Sequence, residues 1–198
     1  MNSKELKQEI GNIDIYLLDQ ILKERFNSTD KILDAGCGSG RNLQYFINNN
    51  FDVYGIDSNE NRIKNLKNLN NNQNFKVAKL EAIPFNKDYF DYIICNAVLH
   101  FANNEIHFFK MFSELFRVLK TNGTLFIRMT SDFGIENLVN KIENGVYNIP
   151  DGSTRFLLTN TILEKLKNKY NFDFIEPLKT VNVNNLRCMS TLVIKKVF

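Results

Sequence analysis

The sequence has few of the residues that tie small secreted folds or metal sites together. Its 198 residues include three cysteines, Cys37, Cys95 and Cys188, and two histidines. Because the cysteines are odd in number and far apart, they indicate neither a disulfide framework nor a zinc site. No apolar run approaches the roughly 18 residues that cross a bilayer, and the N-terminus lacks the apolar core of a signal peptide. We expect reduced, mostly buried cysteines, no metal, no membrane association and a cytoplasmic location.

A large excess of charge of one sign is also missing. Lysine and arginine number 25 against 22 aspartates and glutamates, and the basic residues are scattered. A net charge of +3 spread in this way makes nucleic acid an unlikely partner class on electrostatic grounds. The content of 43% hydrophobic and 24% charged residues is ordinary for a globular protein. We expect a single domain over residues 1–198, as a monomer or a homodimer.

Short apolar runs alternate with helical stretches from Lys31 onward. Such alternation is typical of βαβ units, in which helices cover both faces of a parallel sheet. We predict an α/β fold with a seven-stranded, mostly parallel sheet whose last strand is antiparallel. The predicted strands are residues 31–35, 52–56, 74–79, 89–96, 124–130, 174–183 and 187–195, and the predicted helices between them are residues 41–49, 60–69, 103–119 and 161–170.

Two further segments accompany the predicted sheet. Residues 1–28 carry apolar side chains at helical spacing and predict one or two amphipathic helices that cover a cleft. The pattern loosens over residues 131–160, where we expect a substrate lid. The helix at 103–119 should present one apolar stripe for the sheet to bury, made of Ile106, Phe109, Phe112, Leu115, Phe116 and Leu119.

The most informative segment is a glycine-rich turn that follows the first predicted strand. Its glycines occupy every second position, Gly36, Gly38 and Gly40, directly after Asp34. Without a Cβ, such a turn can bend sharply and let a nucleotide-like ligand approach the main chain. Nicotinamide-dependent dehydrogenases space their glycines as Gly-x-Gly-x-x-Gly, so an oxidoreductase is the least favoured reading. Asp57, which ends the second strand, can accept both hydroxyls of a ribose.

These motifs resemble those of the class I S-adenosylmethionine-dependent methyltransferases over about residues 31–130. The Gly-Ser-Gly-Arg-Asn segment at 38–42 is similar to a branch of tellurite-resistance-type and other small-molecule methyltransferases. The resemblance implies a Rossmann-like fold, S-adenosylmethionine as cofactor and S-adenosylhomocysteine as product. It implies cofactor binding by Asp34, Ala35, Gly36, Cys37, Gly38, Gly40, Arg41, Asp57, Ser58, Leu80, Glu81 and Asn96.

One cofactor motif departs from the family pattern. Lys79 stands where the family usually has the aspartate that accepts the adenine amino group, and a lysine cannot accept this hydrogen bond. Two alternatives stay open: the Leu80 amide and the Glu81 carboxylate replace the aspartate, or adenine is held by stacking and apolar contact.

The resemblance also implies an acceptor site near the end of the fourth predicted strand. Asn96 and His100 are the polar candidates for a catalytic role, with a structural His100 as the alternative. The candidates for contact with the acceptor are His100, Phe101, Arg128 and Arg155. Arg155 can grip a planar or acidic acceptor, or it can pin the lid through a salt bridge.

The function predicted from these residues is transfer of a methyl group from S-adenosylmethionine to a small molecule by in-line displacement. Two alternatives remain. The acceptor can be RNA or protein, or the chain can bind S-adenosylmethionine or S-adenosylhomocysteine without catalysis.

Overall fold

The computed structural model describes residues 2–70 and 74–198. Residue 1 of the expected N-terminal cover and residues 71–73 of the expected domain lie outside the described residues. The elements, in chain order, are α1 Ser3–Ile10, α2 Ile15–Leu22, β1 Lys31–Ala35, α3 Gln44–Asn48, β2 Asp52–Asp57, α4 Glu60–Asn70, β3 Phe75–Val77, β4 Phe90–Asn96, α5 Glu105–Val118, β5 Leu119–Ser131, β6 Asn140–Glu143, β7 Val146–Asn148, β8 Thr154–Phe156, α6 Asn160–Lys169, β9 Phe172–Phe174, β10 Lys179–Val183 and β11 Arg187–Lys196.

The main sheet has the strand order β10-β11-β5-β4-β1-β2-β3, and β9 also pairs with β11. Strands β1 to β5 run parallel, whereas β11 is antiparallel to β5. The predicted α/β class and the antiparallel last strand are confirmed, but the sheet has eight strands instead of seven. The strand predicted at residues 174–183 is divided into β9 and β10 because Pro177, which has no N–H to donate to a ladder, lies between them.

Helices cover both faces of the sheet. One buried cluster includes Phe108 and Phe112 of α5 with Leu166 of α6, and the other includes Phe46 of α3 with Ile63 of α4. Strands β1, β2 and β4 are almost continuously buried, as expected for central strands covered on both faces. All three cysteines are free and buried, as expected.

The apolar stripe of α5 differs from the predicted one. Ile106 is 82% exposed, and Phe109 and Phe116 are half-buried at the edge of the core. Phe112, Leu115 and Leu119 of the predicted stripe are buried, and Phe108, Met111 and Val118 complete the buried face. Asn104 caps the helix, so Ile106 falls in the first turn, on the side facing away from the sheet.

Two smaller regions flank the cleft edge of the sheet. At the N-terminus, Asp14 caps α2 by accepting a hydrogen bond from the Tyr16 N–H. Residues 131–160 contain an antiparallel three-stranded sheet, β6-β7-β8, which we call the small sheet. Across residues 2–70 and 74–198, none of the helices combines the length and apolarity needed to span a bilayer.

Candidate active site

Two adjoining clefts open at the carboxyl edge of the parallel strands. The first, which we call the cofactor cleft, has a volume of about 460 Å³. Its lining includes Gly36, Asp57, Ser58, Arg62, Leu80, Glu81, Val98, Phe101, His107 and Met111. A smaller recess beside it is lined by Gly36, Cys37, Gly38, Ser39, Arg41, Asn42, Arg62 and Asn96. The ends of parallel strands in an α/β sheet are the usual place for a nucleotide-like ligand.

The glycine turn has the backbone that its spacing predicts. Gly36, Gly38 and Gly40 have positive φ angles of 89°, 55° and 81°. A Cβ on Gly36 would lie 2.4 Å from Cγ2 of Val98, whereas a Cβ on Gly38 would enter open space. The N–H groups of Gly36 and Cys37 both donate to the Ile56 carbonyl, at 2.8 and 2.9 Å, which ties the turn to the end of β2. The turn therefore exposes bare backbone toward the cleft.

Asp57 lies against this turn. Its Oδ2 accepts a hydrogen bond from the Gly38 N–H at 2.9 Å, and its Oδ1 accepts one from the Asn59 N–H at 2.8 Å. Arg62 Nη1 lies 3.8 Å from Oδ2 and is exposed. Two backbone donors thus fix the orientation of a buried carboxylate at the edge of the cofactor cleft, and each oxygen retains further acceptor capacity.

Two buried polar side chains near the turn have unused hydrogen-bonding atoms. In the described part of the chain, Asp34 Oδ2 and both polar atoms of the Asn96 amide have no hydrogen-bond partner. Burial raises the pKa of Asp34 to about 7, against the opposing charge of Arg41. Buried polar atoms normally have partners, so these atoms call for a ligand with donors and an acceptor. The ammonium and carboxylate of the methionine end of S-adenosylmethionine fit that requirement.

Predicted Glu81 is paired in the cofactor cleft with His107, a residue that sequence reasoning missed. His107 Nε2 lies 3.4 Å from Glu81 Oε1, and His107 Nδ1 accepts a hydrogen bond from the Asn103 N–H at 3.1 Å. The tautomer with its hydrogen on Nε2 satisfies both contacts, and this assignment follows from the hydrogen-bond partners. Lys79 is exposed here, beside buried Leu80. The only sequence signal for His107 is its place in the first turn of the helix that follows β4.

The second cleft, which we call the arginine cleft, has a volume of about 260 Å³. It adjoins the cofactor cleft through Ala97, which lines both. Ala97 has a positive φ of 60° directly after β4, and its N–H donates to the Arg128 carbonyl at 2.7 Å. The other lining residues are His100, Arg128, Thr130, Ile149, Asp151, Ser153, Arg155, Val183, Arg187 and Met189.

His100 is a neutral side chain in this environment. Burial lowers its pKa to about 4, and the positive charge of Arg155 acts in the same direction. Its Nδ1 accepts the Thr130 N–H at 3.3 Å and lies 2.9 Å from the Thr130 hydroxyl. Nδ1 is therefore the acceptor nitrogen, and Nε2 carries the hydrogen. His100 is placed to donate a hydrogen bond rather than to remove a proton.

The predicted site residues divide between the two clefts. The cofactor cleft and its recess are lined by nine of them: Gly36, Cys37, Gly38, Arg41, Asp57, Ser58, Leu80, Glu81 and Asn96. Three predicted residues do not line either cavity: Asp34 and Ala35 are buried at the end of β1, and Gly40 packs against Leu66, whose Cδ2 would lie 2.6 Å from an added Cβ. Arg41 is exposed, with Nη2 3.7 Å from Asp14 Oδ2. His100, Arg128 and Arg155 meet in the arginine cleft. Phe101 instead lines the cofactor cleft, 58% exposed, with its ring 4.5 Å from that of His100.

Asp14 and Arg187 are further residues that sequence reasoning left without a role in binding. Asp14 Oδ2 lies 3.3 Å from Arg128 Nη1, and the Arg128 guanidinium lies 4.9 Å from the centre of the Tyr16 ring. Arg187 lines the arginine cleft from the hairpin between β10 and β11. Neither residue belongs to a local motif, so only the fold reveals these contacts.

Comparison with known proteins gives a consistent family. Residues 33–127 match the model of a methyltransferase domain. A probable S-adenosyl-L-methionine-dependent methyltransferase, TehB, of Haemophilus influenzae is 34% identical over 79 residues, which are 38% of this chain and 27% of that protein. The chain thus spans little more than a quarter of the length of this relative.

Solved structures share the fold across nearly the whole chain. The PH0226 protein of Pyrococcus horikoshii has a TM-score of 0.71 at 22% identity, covering 92% of this chain and 89% of that one. The 1,6-didemethyltoxoflavin-N1-methyltransferase of Burkholderia thailandensis, crystallised with 1,6-didemethyltoxoflavin and S-adenosylhomocysteine, has a TM-score of 0.68 at 16% identity, covering 98% and 82%. At these identities the likeness concerns the fold.

Proposed function

Since the chain belongs to the class I S-adenosylmethionine-dependent methyltransferases, a family of enzymes with S-adenosylmethionine as cofactor, we propose that it methylates a small molecule. The observation that carries this proposal is the arginine cleft, a recess of about 260 Å³ that joins the cofactor cleft at Ala97. Its volume lies below the roughly 300–1,000 Å³ of pockets for drug-sized ligands. A neighbour of similar fold holds the small molecule 1,6-didemethyltoxoflavin.

In the cofactor cleft, the buried carboxylates of Asp57 and Asp34 are the main groups that position S-adenosylmethionine. Asp57 accepts hydrogen bonds from the ribose hydroxyls, and the Gly38 and Asn59 amides hold its carboxylate in place. Asp34 and Asn96 hold the methionine end, which supplies partners for their unused polar atoms. Leu80 and the Glu81–His107 pair border the adenine. The bound sulfonium supplies an already activated methyl group, so positioning is the main task left to the protein.

On the acceptor side, His100 and Asn96 position the acceptor. The pKa of His100 lies near 4, so its imidazole is a weak base at neutral pH, and its Nε2–H acts as a hydrogen-bond donor to the acceptor. An acceptor that arrives as a neutral amine or an anion needs no strong base from the protein. Residues 131–160, which carry the small sheet, act as the lid of a single domain and limit access of water to the arginine cleft.

Turnover provides the test. The purified chain is incubated with S-adenosylmethionine and a panel of small amines, thiols and phenols, and S-adenosylhomocysteine is measured by chromatography. We expect turnover with at least one acceptor. Asn96→Ala should reduce turnover about tenfold or more, whereas Asn168→Ala, an exposed control on α6, should leave it unchanged. Cofactor binding without turnover would contradict catalysis, and transfer only to added RNA or protein would contradict the small-molecule assignment.

A further inference from the structure

The lining of the arginine cleft carries information about the chemical class of the acceptor. Three guanidinium groups reach it from separate parts of the chain: Arg128 on β5, Arg155 on β8 and Arg187 at the start of β11. The rest of the lining combines the polar groups of His100, Thr130, Asp151 and Ser153 with apolar Ala97, Ile149, Val183 and Met189. The cleft therefore offers cationic donors around an otherwise mixed, small cavity.

The carboxylates of the protein neutralise only part of this charge. Asp14 serves both Arg128 and Arg41, at 3.3 and 3.7 Å. Burial opposes ionisation of Asp151, but hydrogen bonds from Ser153 and the charges of Arg187 and Arg155 outweigh it and lower its pKa. Over residues 2–70 and 74–198, Asp14 and Asp151 are the carboxylates that interact with the three arginines of the cleft. Because His100 is neutral, a positive surplus remains in the cleft.

Two of the arginines are held in fixed orientations before any ligand binds. Arg128 is held between Asp14 and the face of Tyr16, and Asp14 is itself fixed as the cap of α2. Arg155 donates to the Thr154 carbonyl at 2.7 Å and lies 5.1 Å from the centre of the Phe101 ring. Ordered guanidinium groups lose little conformational freedom on binding a planar anion, which favours bidentate recognition.

The third arginine is the most accessible one. Arg187 is exposed, and it extends into the cleft from the tight hairpin that joins β10 to β11. It can therefore contact a ligand that enters from solvent without disturbing the fold. The arginine cleft adjoins the cofactor cleft at Ala97, so an acceptor held by its anionic end can extend its body toward the methyl donor.

We propose that the arginine cleft binds the anionic group of the acceptor, so that the substrates are small molecules bearing a carboxylate or another oxyanion, with Arg187 and Arg128 as the groups that select it. This inference rests on the proposed function. It adds a selection rule: between two molecules with the same nucleophile, the one that also carries the anion is the substrate.

Matched pairs of small probes test the rule. Three pairs present the same nucleophile with and without the charge: 2-mercaptobenzoate and 2-mercaptobenzamide, anthranilate and anthranilamide, and 4-hydroxybenzoate and 4-hydroxybenzamide. Phenyl phosphate is added as a separate binding probe to distinguish phosphate from carboxylate. Binding is measured by titration calorimetry on the protein saturated with S-adenosylhomocysteine, and turnover is measured as kcat/KM. We expect at least one acid or phenyl phosphate to bind roughly tenfold or more tightly than its neutral counterpart, with benzamide as the counterpart of the phosphate.

Two variants and one control test whether the arginines of the cleft cause the preference for anionic probes. Arg187→Gln should remove most of the preference for the anion and leave the affinity for the neutral partner unchanged. Arg128→Gln should do the same, but it leaves buried Asp14 with the more distant and exposed Arg41 as its cation and can lower stability, so Arg187→Gln is the decisive variant. Lys195→Gln removes one positive charge from the end of β11 opposite Arg187, where the side chain is exposed and outside both cleft linings, and should change nothing.

The outcomes separate this inference from the proposed function. Anion binding that Arg187→Gln abolishes, without turnover of any probe, would leave the inference standing while the proposed catalysis fails. Neutral probes binding as well as the anions, or no anion binding at millimolar concentration despite normal cofactor binding, would overturn it. A loss of S-adenosylhomocysteine affinity in Arg187→Gln as large as the loss of anion affinity would also overturn it, because the arginine would then serve the cofactor.

Discussion

The two clefts differ in the charge that they bury and in how the chain assembles them. Asp57 lines the cofactor cleft and Asp34 is buried directly before the glycine turn, whereas the cations beside them, Arg41 and Arg62, are exposed. The arginine cleft has the opposite sign and draws its arginines from distant parts of the sequence. The contrast matches a cationic methyl donor on one side and, in our proposal, an anionic acceptor on the other.

The largest effect should come from filling the space above the glycine turn. Gly36→Ala combines a positive φ of 89° with a Cβ only 2.4 Å from Cγ2 of Val98. We expect the affinity for S-adenosylmethionine to fall by about 100-fold or more by calorimetry, together with a lower Tm. Gly134→Ala is the control, because Gly134 has a similar φ of 87° with only Asn182 Nδ2, at 3.9 Å, near its added Cβ. Equal affinities for the two variants would contradict the dependence of the cofactor cleft on the close packing of the turn against Val98.

A large effect should also follow from removing the charge of Asp34. Cofactor binding places a cation beside a carboxyl whose pKa is about 7 without ligand, so affinity should rise with pH until about 7 and then level off. Asp34→Asn should weaken binding by about tenfold or more at pH 8 and abolish this pH dependence. Calorimetry across the pH range checks both, and an unchanged pH profile in the variant would assign the titration to another group.

The Asp34 carboxyl should make the ligand-free protein less stable as the pH rises, whereas it makes cofactor binding tighter. Its pKa is raised from an ordinary value of 3.8 to about 7, so the ligand-free folded state binds this proton more tightly than the unfolded state. The contribution of this proton to the free energy of unfolding is fully present below pH 3.8 and is lost as the pH rises through 7. Asp34→Asn should raise the Tm of the ligand-free protein at pH 8 by about 5 °C and change it little near pH 4. A lower Tm at pH 8 would contradict an unpaired buried charge.

A moderate effect should come from His100. Its hydrogen-bond partners and its pKa near 4 assign it as a donor, so His100→Gln, which keeps an N–H donor, should retain most activity. We expect kcat/KM for the acceptor to fall by about fivefold, with cofactor affinity and the pH profile between about 6 and 9 unchanged. Loss of an ionisation in that pH range in the variant would identify His100 as a general base instead.

The smallest effect should come from an exposed cation of the cofactor cleft. Arg62 lies 3.8 Å from Asp57 at the surface, where solvent and salt screen the interaction. Arg62→Gln should change S-adenosylmethionine affinity by less than about threefold, with the difference shrinking at high salt. A tenfold loss would show that the cofactor cleft depends on its cations as the arginine cleft does.

The same contrast explains what the sequence could predict. The cofactor cleft comes from the ends of β1, β2 and β4, and short consecutive motifs mark those ends. Gly36 and Asp57 were identified by spacing, and Asn96 by the family resemblance that those motifs carry. The strand count was wrong because Pro177 divides a strand, and the α5 stripe was wrong at Ile106, which the first turn of the helix leaves exposed. Arg128 and Arg155 were candidates for contact with the acceptor, but the convergence of Arg187 and the pairing of Asp14 need the tertiary fold.

The most direct measurement compares two aspartates of one strand. Asp57 ends β2 at the cofactor cleft, whereas Asp52 begins the same strand at its opposite end, beside Tyr54 and Asn74. Calorimetry with S-adenosylmethionine is run on the unchanged chain, Asp57→Ala and Asp52→Ala. We predict binding by the unchanged chain, a loss of about tenfold or more in Asp57→Ala and affinity within about twofold in Asp52→Ala. No binding by the unchanged chain, or undiminished binding by Asp57→Ala, would contradict the assignment of this cleft to the cofactor.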